Sequence, residues 1–167
     1  KLLNKLPVRS VSVRRYLFPP LIEIGLLLRN PVAFAWRIGA EGKEYGMVDR
    51  EAVWIPIEVA NKSKFTNPNI FIEGWMETYR EGIAFILINR TNLGSPLQKI
   101  KIKPGGEISL YTDRFNVFQL NPNPIVLLKQ LKSLEELLKN LPVEFKTMSG
   151  FSFHLSDPSR PELQLKN

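Results

Sequence analysis

Few side chains in this sequence could carry out acid–base or nucleophilic chemistry. His154 is the only histidine, and strand alternation predicts that it faces away from Phe151 and Phe153, toward solvent. A general base needs a nucleophile or an orienting partner within hydrogen-bond reach, and the sequence indicates neither. We therefore predict an exposed histidine and no catalytic residue.

Two carboxylates form the other candidate for chemistry. Glu73 and Glu77 are predicted to share one strand face, where a glycosidase-type pair could form. They lie between aromatic residues, however, which is more typical of a solvent-facing strand surface. The sequence contains no phosphate loop, nucleophile elbow or zinc-protease motif, and it lacks cysteine. We predict no enzyme, no metal site and no cofactor.

An aromatic row is a candidate for binding rather than catalysis. Phe71, Trp75 and Tyr79 are predicted to line the face of a strand opposite Ile70 and Ile72. Such a row needs a cover, either a second layer of the same chain or a partner protein. Because tryptophan and tyrosine are enriched at interface hot spots, we assign these three residues as candidate partner-binding residues.

The charge of the chain is concentrated at its N-terminal end. Residues 1–38 carry seven basic side chains and one acidic one, so they account for +6 of the net charge of +7. The remaining residues are nearly neutral. The basic pI is therefore a property of the N-terminal segment and not of the rest of the fold.

Residues 1–20, "KLLNKLPVRSVSVRRYLFPP", allow three hypotheses. The segment could bind phosphate, be the remnant of a presequence, or dock on a neighbouring subunit. The phosphate-binding candidates are Lys5, Arg9, Arg14 and Arg15. The docking candidates are Leu6, Val11 and Val13. Alternation of Val11 and Val13 with serines favours a strand that adds to the edge of a neighbour's sheet.

The most apolar window does not predict a membrane span. It covers residues 17–38 and contains three charges and three prolines, whereas a span needs roughly 20 mostly apolar residues. Peripheral contact with a membrane stays open as an expectation.

Short apolar runs predict a β-rich fold. Pro56 places the strand 53–60 at a sheet edge or at a bulge, and Lys99, Lys101 and Lys103 form a row typical of edge protection. The run Ile83–Ile88 is apolar on both faces and predicts a central strand. The predicted strands are 21–28, 32–38, 53–60, 69–79, 83–88, 97–103, 107–111, 115–120 and 143–155.

One segment has helical periodicity instead. Leucines from Leu127 to Leu141 form a stripe, Asn123 is a predicted N-cap and Pro124 stands at the first helical position. The sum is a mainly β fold, an Ig-like or jelly-roll-like β-sandwich with one amphipathic helix at about 124–140 before the last strand. We expect a basic extended arm (1–20), a single sandwich domain (21–155) and a polar C-terminal tail (156–167).

This order of elements resembles a known family. "IPIEVANKSKF", "YREGIAFILI", "IKIKPGGEI", the leucine-rich helix and a final strand resemble the LEA type 2, or water-stress WHy, domain over residues 53–155. The resemblance implies an Ig-like sandwich with a helix near its end, and a stress-protection, membrane-peripheral or cell-surface role without catalytic residues.

The function predicted from the sequence is structural. We expect a non-enzymatic interaction subunit that self-assembles through its N-terminal arm and an aromatic sheet face, as in a coat, a viral capsid or a cell-surface layer. Location at the cell surface or in a virion is favoured over the cytoplasm. The alternatives are an LEA type 2-like module and a nucleic-acid-associated protein that uses the basic arm.

Overall fold

A computed structural model describes residues 7–60, 68–142, 144–145, 149–157 and 159–165. The fold is mainly β, as predicted, with sheets of nine and two strands, which is consistent with a β-sandwich. The strands are β1 (Val8–Tyr16), β2 (Leu21–Leu28), β3 (Pro31–Gly39), β4 (Gly42–Asp49), β5 (Trp54–Pro56), β6 (Ile70–Glu73), β7 (Leu97–Ile102), β8 (Ile108–Thr112), β9 (Phe115–Leu120), β10 (Phe151–His154) and β11 (Glu162–Leu165). The α-helices are α1 (Ile57–Ala60), α2 (Arg80–Asn89) and α3 (Pro124–Asn140).

The two sheets differ in construction. β1 and β2 form an antiparallel hairpin, and the larger sheet has the strand order β11-β10-β9-β8-β7-β6-β3-β4-β5. β3 and β6, β6 and β7, and β9 and β10 pair in parallel. Parallel neighbours need crossover connections, and α2 and α3 supply two of them, between β6 and β7 and between β9 and β10. These parallel pairings were not predicted.

One face of the nine-stranded sheet packs against the helices. Buried residues of α2 (Ile83, Ile86) and α3 (Leu127, Leu134) belong to the same hydrophobic cluster as alternate residues of β3 and β6 to β10. We call this side the helix face and the opposite side the open face. The main core therefore lies between the sheet and the layer of α2 and α3. On the open face, α1 covers a smaller buried cluster of Met47, Ile55 and Ala60 at the β4–β5 end.

α3 has the bounds that the sequence predicts. The Asn123 side chain accepts a hydrogen bond from the backbone N–H of Ile125 (2.9 Å), and Pro124 begins the helix. Leu127 and Leu134 are buried, and Leu131, Leu138 and Leu141 pack against the same core. The predicted cap and leucine stripe are both confirmed.

The predicted strand Ile83–Ile88 is wrong, because these residues lie in α2. Ile83, Ile86 and Leu87 face the core, and Ala84 and Phe85 pack against it as well. A helix that is buried on most sides is apolar around its circumference. A short apolar segment of such a helix therefore has no periodicity that distinguishes it from a buried strand.

Of the two strands that the sequence places at a sheet edge, one lies at an edge and the other lies at the centre of the sheet. β5, which ends at Pro56, is an edge strand as predicted, but it is followed directly by α1 and not by further strand. β7, with the lysine row, is the fifth of nine strands, so its interpretation as edge protection is wrong. The other edge strand is β11, whose outer edge pairs with no described residue.

Two predicted strands are shorter than expected. β6 ends at Glu73 because Gly74 has a φ of 76°, a left-handed conformation that stops the ladder. A 3-10 helix at Glu77–Tyr79 follows it. Within 143–155, β10 covers Phe151–His154, and residues 143 and 146–148 lie outside the described residues.

An aromatic cluster joins the C-terminal strands to the sheet. Ring centroids of Phe115 and Phe151 lie 5.6 Å apart, and Phe153 stands at 5.4 Å from both, edge-on. All three side chains are fully buried. Such pairs add about 0.5–1.5 kcal/mol each beyond the area they bury.

A buried amide links α3 to two strand ends. Gln130 is 1% exposed. It accepts a hydrogen bond from the N–H of Asn121 (2.9 Å) and donates to the carbonyls of Gln119 (3.1 Å) and Leu155. The amide of Gln130 supplies a donor or an acceptor for each of these backbone groups. These hydrogen bonds fix the position of α3 on the sheet.

Replacing Gln130 tests this link. Gln130→Met keeps the volume but leaves buried backbone groups without partners, so we expect the free energy of unfolding to fall by about 2–4 kcal/mol in urea titrations. Gln164→Met, on the exposed surface of β11, should change it by less than about 0.5 kcal/mol. Equal effects of the two substitutions would contradict a structural role for the buried amide.

Candidate interaction surfaces

The hairpin of β1 and β2 has one mainly apolar face and one face of mixed polarity. Val11 lies opposite Leu26, and Val13 lies opposite Ile24. These four side chains and Ile22 share one face, together with Arg15. The other face carries Ser10, Ser12, Arg14, Tyr16, Leu21, Glu23 and Leu27. The predicted alternation of Val11 and Val13 is thus that of a real strand.

The apolar face of the hairpin is uncovered. Val13 is 65% exposed, and Val11, Ile22, Ile24 and Leu26 are exposed as well. At the tip, Phe18 is 95% exposed. A two-stranded ribbon is marginally stable in water unless a further strand or layer packs on it. Its apolar face therefore has the properties of a docking surface.

A network of charges holds the base of the hairpin on the large sheet. Asp49 is 4% exposed, and its Oδ1 accepts hydrogen bonds from the N–H groups of Glu51 and Val53, both at 2.9 Å. Its Oδ2 accepts from the Arg29 guanidinium at 2.6 Å. Arg29 also contacts Glu51 at 3.3 Å, and Arg9 pairs with the same carboxylate.

The protonation of this network is shifted by its own charges. Burial alone would lower the pKa of Arg29, but hydrogen bonds and charges of Asp49 and Glu51 outweigh it and raise the pKa. The hydrogen bond from Arg9, aided by Arg29, lowers the pKa of the exposed Glu51 carboxyl. Both shifts favour the charged forms and therefore the bound position of the hairpin.

The basic candidates of the N-terminal segment are distributed rather than clustered. Arg9 is engaged by Glu51, and Arg14 lies directly across from Glu23, which also accepts a hydrogen bond from the Tyr16 hydroxyl at 2.9 Å. Arg15 is exposed on the apolar face. Lys5 and Leu6 lie outside the described residues.

The predicted aromatic row is divided between the two faces of the sheet. Trp75 is 3% exposed, and its Nε1–H donates to the carbonyl of Ala52 at 3.0 Å. Tyr79 packs against the same core. Trp75 therefore does not lie on an exposed row as predicted, because the left-handed Gly74 ends the alternation and turns its indole inward. Phe71 alone of the three lies on the open face, half-buried.

The open face carries its own aromatic and cationic residues. Phe71 is flanked by Phe34 on β3 and Lys99 on β7, and Lys99 is followed by Tyr111 on β8. Tyr111 contacts Phe118 (centroids 5.9 Å apart), which contacts His154 (5.1 Å). The sequence did not predict this surface, since it combines strands that are distant in the chain.

The candidates for chemistry are not brought together. Glu73 lies 3.6 Å from the Lys99 ammonium, whereas Glu77 pairs with Arg80 at 2.7 Å. His154 contacts Phe118. A cleft of about 720 Å³ at the start of β3, β6 and β7 is lined by Arg90 and Ser95 among others, and its described lining contains no histidine or carboxylate. Within the described ranges, no three metal-binding side chains are grouped.

None of the helices among the described residues is long and apolar enough to cross a membrane. The apolar window that the sequence analysis singled out forms β2 and β3.

Comparison with protein-family models gives no match, and comparison with curated proteins gives none either. The resemblance of residues 53–155 to the LEA type 2 domain stays a prediction.

Acid should loosen the base of the hairpin. Because the pKa of Glu51 is lowered in the folded state, its stabilising contribution is present above the ordinary carboxyl pKa of about 4.3 and is lost as the pH falls through the lowered value. We expect the amide chemical shifts of β1 and β2 to show an inflection in that acidic range by NMR.

Glu51→Gln should remove this inflection, whereas Glu41→Gln, in the turn between β3 and β4, should leave it unchanged. An inflection that persists in Glu51→Gln would show that another group holds the hairpin.

Proposed function

We propose that this protein is a non-enzymatic interaction subunit that self-associates through the apolar face of its N-terminal hairpin. The main support is that one face of the hairpin is apolar and exposed. It is formed by Val11, Val13, Ile22, Ile24 and Leu26. Soluble proteins rarely leave such a face uncovered.

Two identical faces satisfy the need for a cover. In a two-fold symmetric pair, each residue of the patch meets the same patch of the other copy, so one apolar face is enough. The mutual burial supplies the second layer that a two-stranded ribbon lacks. Arg15, at the end of the patch, can extend its charged head past the rim into water.

The sheet edges offer a second mode of contact. β1 and β2 each have one edge that pairs with no described residue, and so does β11, where Leu163 is exposed. A strand from a neighbouring chain can add to such an edge through main-chain hydrogen bonds. Hairpin docking and strand addition together would allow an extended assembly of the coat or cell-surface type.

Nucleic-acid binding through the basic segment has less support. Phosphate contacts require free cationic groups in a cluster, but Arg9 is engaged by Glu51 and Arg14 faces Glu23. Only Arg15, among the three described arginines of the segment, is without a neighbouring carboxylate in these pairings.

Charge on the apolar face should prevent self-association. Val13 and Ile24 are paired across the hairpin, so the double variant Val13→Lys/Ile24→Lys places two ammonium groups at the centre of the patch. We expect each substitution to weaken association by about 2 kcal/mol or more. Native mass by light scattering should fall from that of an oligomer to that of the monomer of 19.2 kDa.

Ser10→Lys, on the polar face of the same strand, is the matched control and should leave the native mass unchanged. A wild-type chain that is monomeric at all concentrations tested would overturn self-association. Deletion of residues 1–20 is a less clean test, because it removes β1 and leaves β2 unpaired.

A further inference from the structure

The lysine row lies at the centre of the large sheet, where edge protection has no purpose. Lys99 and Lys101 lie on the open face of β7, the middle strand, and Lys103 follows directly after its end. Successive side chains on one face of a strand are about 7 Å apart. Three like charges at that spacing repel one another, so the row costs stability unless anions lie near it.

The carboxylates of the chain neutralise this row only in part. Lys99 contacts Glu73 at 3.6 Å, and Lys103 contacts Glu107 at 2.7 Å. Lys101, which is exposed, has Glu73 and Ser109 as its cross-strand neighbours and forms no ion pair with a described residue. Glu73 stands opposite Lys101 in the register but contacts Lys99, so the charge of Lys101 is left over.

Aromatic rings hold two of the ammonium groups on the open face, those of Lys99 and Lys43. Lys99 Nζ lies 4.5 Å from the centroid of the Tyr111 ring. Across the open face, Lys43 Nζ lies 4.2 Å from the Trp36 ring and 5.3 Å from the Tyr45 ring. Cation–π contacts of this kind hold a flexible side chain in one place and so reduce the entropy lost when an anion binds.

The same contacts distinguish between two kinds of anionic partner. Single-stranded nucleic acids bind sheets by stacking bases on free aromatic faces. Here ammonium groups already lie over Trp36 and Tyr111, so stacking would have to displace them. Carboxylates, by contrast, can pair with the ammonium groups where they stand.

We propose that the open face, centred on Lys99 and Lys101, binds an acidic polypeptide segment. The rings of Phe71 and Tyr111 provide the apolar floor beside the charges. The surface is separate from the N-terminal hairpin, so this partner can bind whether or not the hairpin self-associates.

An octaglutamate peptide titrated into the full chain of 167 residues tests the proposal. We expect saturable binding that weakens with added salt, with amide chemical-shift changes in β7 and β8. The double variant Lys99→Gln/Lys101→Gln should weaken binding about ten-fold, since each exposed ion pair is worth up to about 1 kcal/mol.

Lys129→Gln/Lys132→Gln removes the same charge from α3, which packs on the opposite side of the sheet, and should leave the affinity within about two-fold of the wild type. Equal losses in the two double variants would reduce the binding to a general effect of net charge and overturn the proposal.

A single-stranded octathymidylate separates the two classes of partner. It should bind more weakly than the peptide, and the Lys99/Lys101 variant should affect it less. Tighter binding of the oligonucleotide at the open face would assign the surface to nucleic acid instead. The two proposals are tested independently. Absence of peptide binding would not bear on self-association through the hairpin, and a monomeric chain could still bind the peptide.

Discussion

The ion pair of Arg29 and Asp49 is the contact on which the arrangement of the two sheets depends. Asp49 closes the turn between β4 and β5 through two backbone N–H groups, and its second oxygen holds Arg29 at the end of the hairpin. A single buried carboxylate therefore shapes a turn of the large sheet and positions the small one. Because Asp49 is buried, loss of Arg29 would leave its carboxylate without a cationic partner, which is more costly than loss of an exposed pair.

Local patterns in the sequence were sufficient for some elements. β2, β9 and α3 have the predicted bounds, since alternation, a leucine stripe and the Asn123 cap all act over a few residues. α2 was not predicted, because a short apolar run in the centre of a core has no distinctive period. The position of β7 was wrong for a different reason. Strand order results from crossovers, and no local pattern records them.

The candidate surfaces divide in the same way. The strand that holds Val11 and Val13 could be found from the sequence because apolar and polar residues alternate along it. Trp75 could not be placed, because the conformation of one residue, Gly74, decides whether the alternation continues. The open face was missed altogether, since Trp36, Phe71, Lys99 and Tyr111 are neighbours only after four strands have paired.

The phenylalanine cluster also has a consequence for synthesis on the ribosome. Phe115 emerges 36 residues before Phe151, its stacking partner. At ordinary elongation rates this interval lasts about 2–7 s. During that time β9 has no neighbour on its outer side, and α3 lacks the strand that Gln130 joins to it. The outer edge of β9 therefore stays unpaired for seconds during synthesis, with its main-chain N–H and C=O groups open to water or to another chain.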